Sequence, residues 1–145
     1  MHYMVYDWCR YKYDVLQDQF TQVLLEKERL YTKTLPNAIR YDKEQVQTSV
    51  DGSMLENYVV SLEEEKIDVK LKRLRQSIED WGILLELKEK ELRKSNSIPD
   101  RIYVYRYLDD YGINKITKEL NYSKSQVYRI LKKIGKSCDK MRLNM

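Results

Sequence analysis

A chain of 145 residues has room for one ordinary domain or two small ones, and its 42% hydrophobic and 34% charged residues describe an ordered protein. Only four Gly and two Pro occur, too few for a sandwich or barrel, which needs a breaker roughly every 8–12 residues; the expectation is all-α. The net charge of +4 conceals a split: residues 1–94 carry 16 Lys and Arg against 18 Asp and Glu, whereas residues 95–145 carry 11 against 5. A neutral-to-acidic body with a basic end is the distribution expected when that end meets phosphates.

Composition also excludes chemistry. His2 is the only histidine, which removes the commonest general base. Cys9 and Cys138 lie at opposite ends without a CxxC or a nearby His, so zinc ligation fails on ligand count, and free thiols are expected. Asp109 and Asp110 read as a solvated helix end. With no nucleophile–base pair and no phosphate-cradling Gly loop, neither enzyme activity nor a cofactor is predicted. No apolar run approaches the roughly 20 residues of a membrane span. The start of the chain lacks a basic-then-apolar signal pattern, so the expected location is the cytoplasm.

The first predicted helix covers about Asp7 to Lys33. Cys9, Tyr13, Leu16, Phe20, Val23 and Leu30 follow steps of four and three, with Lys27 the polar intruder. Thr34-Leu35-Pro36-Asn37 is expected to end it, because proline disfavours helix at the preceding residue and cannot donate to the ladder. Residues 34–53 lack periodicity and close on Asp51-Gly52-Ser53, so they read as a linker loop.

From about Met54 to Lys94 the pattern is helical again. Leu71, Leu74, Ile78, Trp81, Leu85 and Leu92 hold a three-four rhythm, with Lys88 in one slot. Upstream, Leu55, Tyr58, Val59 and Leu62 are expected to join that seam through a stutter near residues 64–68. Gly82 suggests a close crossing or a bend, and Glu63, Glu64 and Glu65 are expected to pair with Lys66 and Lys70 on the wet face. The two helices form a long antiparallel, coiled-coil-like hairpin over residues 1–94, with Phe20 and Trp81 buried at its seam. The stripe can also close between two copies of the chain as a homodimer. Ser95 to Asp100 breaks the pattern, and Pro99 opens a helix to about Leu108 on which Tyr103 and Tyr107 share a packing face.

The region Gly112–Lys136 carries the strongest functional signal. Ile113, Ile116 and Leu120 give a short helix an apolar face, and Thr117 falls at a close crossing. Asn121 tolerates positive φ in the turn, and Ser123 can cap a helix from Lys124 to about Lys136. The spacing Thr117–Asn121–Val127–Ile130 suits a helix-turn-helix, so residues 95–145 are predicted to be a small DNA-binding domain. Val127, Ile130, Leu131 and Ile134 lie on one face of the second helix, and Ser125, Tyr128, Arg129, Lys132, Lys133 and Lys136 on the other. Arg129 is the candidate for a guanine edge, with Ser125 or Gln126 for a neighbouring base. Lys132, Lys133 and Lys136 suit phosphates. Together with Ser123 and Lys124 at the helix start, these nine residues are the candidate interface with double-stranded DNA.

The stretch VYRYLDDYGINKITKELNYSKSQVYRILKKI resembles the DNA-binding unit of sigma-factor region 4, and more closely that of phage-encoded transcriptional regulators of the ArpU and RinA type. Arg106-Tyr107 matches an "RY" before the first motif helix. Leu120, Tyr122, Ser123, Val127 and Arg129 match "LxYSxxxVxR". Tyr41, Val46, Gln47, Ser49, Asp51 and Met54 match a linker segment of that group. Ile116-Thr117 departs from the common "IA" pair, and Lys27 and Lys88 occupy seam positions. The resemblance implies a sequence-specific activator of phage late genes that acts with bacterial RNA polymerase in the host cytoplasm, its hairpin serving assembly or polymerase contact. Two alternatives are a small terminase subunit, which would assemble into rings, and an anti-sigma or interaction protein, which would bind no DNA.

Overall fold

The computed structural model describes the backbone of residues 1–43 and 50–144 and the side chains of residues 1–32 and 55–144. The fold is all-α. Helix α1 spans His2–Lys43, α2 Val50–Lys94 and α3 Ile98–Tyr103; a π-helical turn covers Val104–Leu108; α4 spans Ile113–Leu120 and α5 Lys124–Leu143. Among the described residues no helix is long and apolar enough to cross a membrane. The chain divides into two compact units, one of Met1–Asp14 with Asp80–Met145 and one of Val15–Glu79.

Both long helices exceed expectation. α1 continues through Pro36 to Lys43 and α2 starts at Val50, so the loop expected over residues 34–53 is helical on both sides. A proline removes one donor and disfavours helix before it, which costs stability without forbidding a continuous helix. The linker positions Val46, Gln47 and Ser49 lie outside the described residues.

In the unit Val15–Glu79 the two helices run antiparallel. Arg75 lies 5.8 Å from the Phe20 ring centroid, and Lys27 Nζ lies 2.8 Å from Asp68 Oδ1. The ion pair holds the charged end of the polar intruder while its stem follows the seam. Leu16, Phe20, Val23 and Leu30 are half-buried rather than buried, because a pair of helices covers each seam residue from one side only. On α2 the less exposed positions of this unit, Ser77 apart, are Val60, Glu64, Ile67, Leu71, Leu74 and Ile78, an unbroken three-four series that places Glu64 in the seam. The expected stutter is therefore absent. Leu62 is two residues from both Val60 and Glu64, about 200° around the helix, and Leu55, Tyr58, Val59 and Leu62 are all exposed. The ion pairs expected from Glu63–Glu65 to Lys66 or Lys70 do not form.

The other unit holds most of the buried side chains. Tyr3 and Tyr6 of α1 and Leu92 of α2 join Ile102, Tyr103, Val104, Ile116, Val127, Ile134 and Cys138 in one apolar cluster. The boundary expected at residues 94/95 thus falls inside a shared core. Tyrosine suits this thin core because its ring is apolar and its hydroxyl needs one partner. The Tyr103 ring stacks on Tyr3 at 5.8 Å, and its hydroxyl donates to Asp7 Oδ1 at 3.0 Å. The helix expected to reach Leu108 instead widens, with the Asp109 amide donating to the Val104 carbonyl, five residues back. This extra residue leaves Tyr107 44% exposed although its ring touches Tyr103 at 4.8 Å. Asp109 is not simply solvated, since it pairs with Arg93 at 3.3 Å.

Trp81, expected to be buried, is half-buried and meets Trp8 edge-on at 5.4 Å, while a Cβ on Gly82 would sit 3.5 Å from the Tyr13 ring. Trp81→Ala should therefore cost about 2 kcal/mol in urea unfolding, for the area and ring pair lost, rather than the larger cost of emptying a closed core. A loss below about 0.5 kcal/mol, typical of surface substitutions, would show that the ring pair adds nothing.

Candidate nucleic-acid interface

The site is built by the short helix α4, the longer α5 and the turn between them. Ile116 of α4 and Val127 and Ile134 of α5 are almost wholly buried, with Ile113, Leu120, Ile130 and Leu131 packed around them. Asn121 closes α4 in the left-handed region at φ 57° and ψ 36°, and its amide donates to the Thr117 carbonyl. Asparagine enters this region at low cost, and a β-branched residue would not. The Thr117 hydroxyl donates to the Asn114 carbonyl at 2.7 Å, so the bulkier residue at this position satisfies itself within its own helix.

Ser123 starts α5 with a reciprocal cap. Its hydroxyl accepts from the Gln126 amide at 3.3 Å, and Gln126 Oε1 accepts from the Ser123 amide at 3.0 Å. This arrangement satisfies two donors that a helix N-terminus otherwise leaves open. It also commits the Gln126 carbonyl to the cap, which removes the paired donor and acceptor that adenine readout uses. The outward base-reading candidates are then Ser125 and Arg129. α5 continues past the expected end at Lys136 to Leu143.

All nine candidate residues, Ser123, Lys124, Ser125, Gln126, Tyr128, Arg129, Lys132, Lys133 and Lys136, are exposed. Five of them are cationic, and they lie along one helix whose opposite face is apolar and packed. Lys133 and Lys136 also line a cleft of about 660 Å³ with Tyr3, Met4, Pro99 and Ile134, so their stems have apolar surface to lie on. Two cations escaped the sequence reading. Lys115 and Lys118 of α4 are exposed, and Lys115 Nζ sits 3.9 Å above the Tyr111 ring. The signal was available, because the spacing of Ile113, Ile116 and Leu120 already turns Lys115 and Lys118 outward.

Behind this face, two buried acids hold the helices together. Asp100 accepts from the Tyr3 amide at 2.9 Å and from the Ser95 hydroxyl at 2.6 Å. Asp7 accepts from Tyr103 and, at 3.2 Å, from Arg142 near the end of α5. Both cysteines are free and buried. Burial pushes the Cys138 thiol up to about 12, with the Asp7 charge adding to the effect. At pH 8 almost no thiolate forms, and thiolate is the reactive species. Iodoacetamide should modify Cys138 only after denaturation. Labelling of the native protein at the rate of a free thiol would contradict this burial.

The fold and this face define an all-α protein with a cationic helix mounted on a packed two-helix support. Comparison with known proteins takes the assignment no further: no protein-family model, curated protein or solved structure matches the chain.

Proposed function

We propose that α4 and α5 form a DNA-binding helix-turn-helix and that the protein is a sequence-specific transcriptional regulator. One observation carries the reading. Lys124, Arg129, Lys132, Lys133 and Lys136 are exposed along α5, while Val127 and Ile134 on its other side are buried against the rest of the unit. A helix held in this way can enter a major groove with cations toward phosphates and a guanidinium toward base edges. Arg129 and Ser125 read bases in this arrangement. Lys132, Lys133 and Lys136 hold phosphates, and the capped start of α5 adds backbone donors for another. The motif residues Arg106, Tyr107, Leu120, Tyr122, Ser123, Val127 and Arg129 support the narrower reading of an ArpU/RinA-type phage activator. Such a protein works with bacterial RNA polymerase on late genes, in the host cytoplasm.

Binding-site selection with the purified full chain tests the proposal, followed by salt titration of the selected duplex. With four or five phosphates neutralised, log affinity should fall with log salt at a slope of about −4. Failure to retain any duplex at low salt would reject DNA binding and leave the interaction-protein alternative.

A further inference from the structure

We propose that residues 55–76 of α2 are an interface between two copies of this chain, paired antiparallel about a two-fold axis near the Glu65–Lys66 peptide bond. The stretch is about 33 Å of helix, and one side of it already faces α1 through Ile67, Leu71 and Leu74. Its other side exposes Leu55, Tyr58, Val59, Leu62 and Val69, each between 39% and 64% accessible. Leu55, Val59, Leu62 and Val69 keep four- and three-residue steps, with Lys66 in the intervening slot, so they form a second stripe at coiled-coil spacing. In the unit Val15–Glu79, Leu71 is the one described residue that is buried. Two helices this sparsely covered gain most by burying a second seam.

Charge identifies the occupant. Residues 55–65 carry Glu56, Glu63, Glu64 and Glu65 and no base, a net of −4. Residues 66–76 carry Lys66, Lys70, Lys72, Arg73 and Arg75 against Asp68, a net of +4. Among the described residues no ion pair joins these halves within the chain. The two halves are equal in length, and with Glu64, Asp68 and Arg75 set aside because they face α1 they still carry −3 and +4, so a two-fold axis between them lays each half on its complement. Leu62 then faces Val69 of the second copy, and Glu63 lies alongside Lys70 of the second copy. A parallel pair would stack acid on acid and base on base. A surface complementary to itself under two-fold rotation is the hallmark of an isologous dimer. This inference does not depend on DNA binding.

Light scattering on the full-length protein tests it, with a dimer expected in the absence of DNA. Glu56→Lys/Glu63→Lys/Glu65→Lys and Lys70→Glu/Lys72→Glu/Arg73→Glu change exposed residues only, and circular dichroism checks that each stays helical. Each triple variant should weaken dimerisation about 100-fold or more, because like charges now face each other twice. An equimolar mixture of the two should dimerise again. A single chain carrying all six substitutions should also dimerise; the triple variants separate antiparallel from parallel pairing, because a parallel pair already sets like charges together and would not be weakened by them. A monomeric wild type, a mass unchanged in both triple variants, or a six-substitution chain that stays monomeric would each overturn the proposal. A larger ring would do so as well. Helix lost in a triple variant moves that test to Leu62→Asp, which should give a helical monomer; a helical dimer there overturns the proposal.

Discussion

Asp100→Ala is expected to destabilise the unit of residues 1–14 and 80–145 by about 2–5 kcal/mol, as measured by urea unfolding. Asp100 is 1% exposed and yet carries a carboxylate. It stays there because its oxygens meet two donors, the Tyr3 amide and the Ser95 hydroxyl. The Tyr3 amide belongs to the first turn of α1, where a helix has no internal acceptor and where its dipole favours negative charge. Alanine removes the acceptor for both donors and leaves the Tyr3 N–H enclosed beside an apolar cluster. Asp100→Asn keeps an acceptor and the shape, and should cost only about 1 kcal/mol. Equal losses for the two variants would show that volume, not the hydrogen bonds, sets the cost. The same bond ties the start of α1 to α3, so a fragment of residues 95–145 would lack Tyr3, Tyr6 and Leu92 from its core. DNA binding is therefore best measured on the full chain.

The second large effect separates reading from holding along α5. On the proposed docking, Arg129 lies mid-helix and reaches a base edge, whereas Lys133 lies one turn later and meets a phosphate. Arg129→Ala should cost about 1–3 kcal/mol on the selected site and relax preference at one position. Lys133→Ala should weaken cognate and scrambled duplexes alike and reduce the salt slope by about one. Neither change should affect stability much, since both side chains are exposed. Equal, near-zero effects on both duplexes would remove α5 from the interface.

Where the structure departs from the sequence reading, the departures share a cause. Leu55, Val59 and Leu62 look like an upstream extension of the seam at Leu71, because apolar spacing along a helix does not say which stripe faces which neighbour. The antiparallel contact with α1 selects Val60, Glu64 and Ile67 instead, and leaves the other stripe outside. Phe20 and Trp81 look like core residues by size, but a helix pair has too few layers to enclose them. Gln126 looks available to a base until the cap turns its carbonyl back to Ser123.

What sequence alone determined here is local. Asn121 and Ser123 mark the turn because positive φ and helix capping are decided within about four residues. The apolar face of α5 and its cationic opposite follow from helical repeat alone. The charge division between residues 1–94 and 95–145 is visible without any coordinates. Tertiary structure alone decided the pairings between residues distant in the chain. Apart from the Ser95 hydroxyl beside Asp100, nothing near Asp7 or Asp100 signals that these acids are buried, because their other partners, Arg142 and Tyr103 for one and Tyr3 for the other, lie 96 to 135 residues away. The widened turn at Val104–Leu108 is likewise an outcome of the whole chain. Local propensity there is weak enough for distant contacts to overrule it.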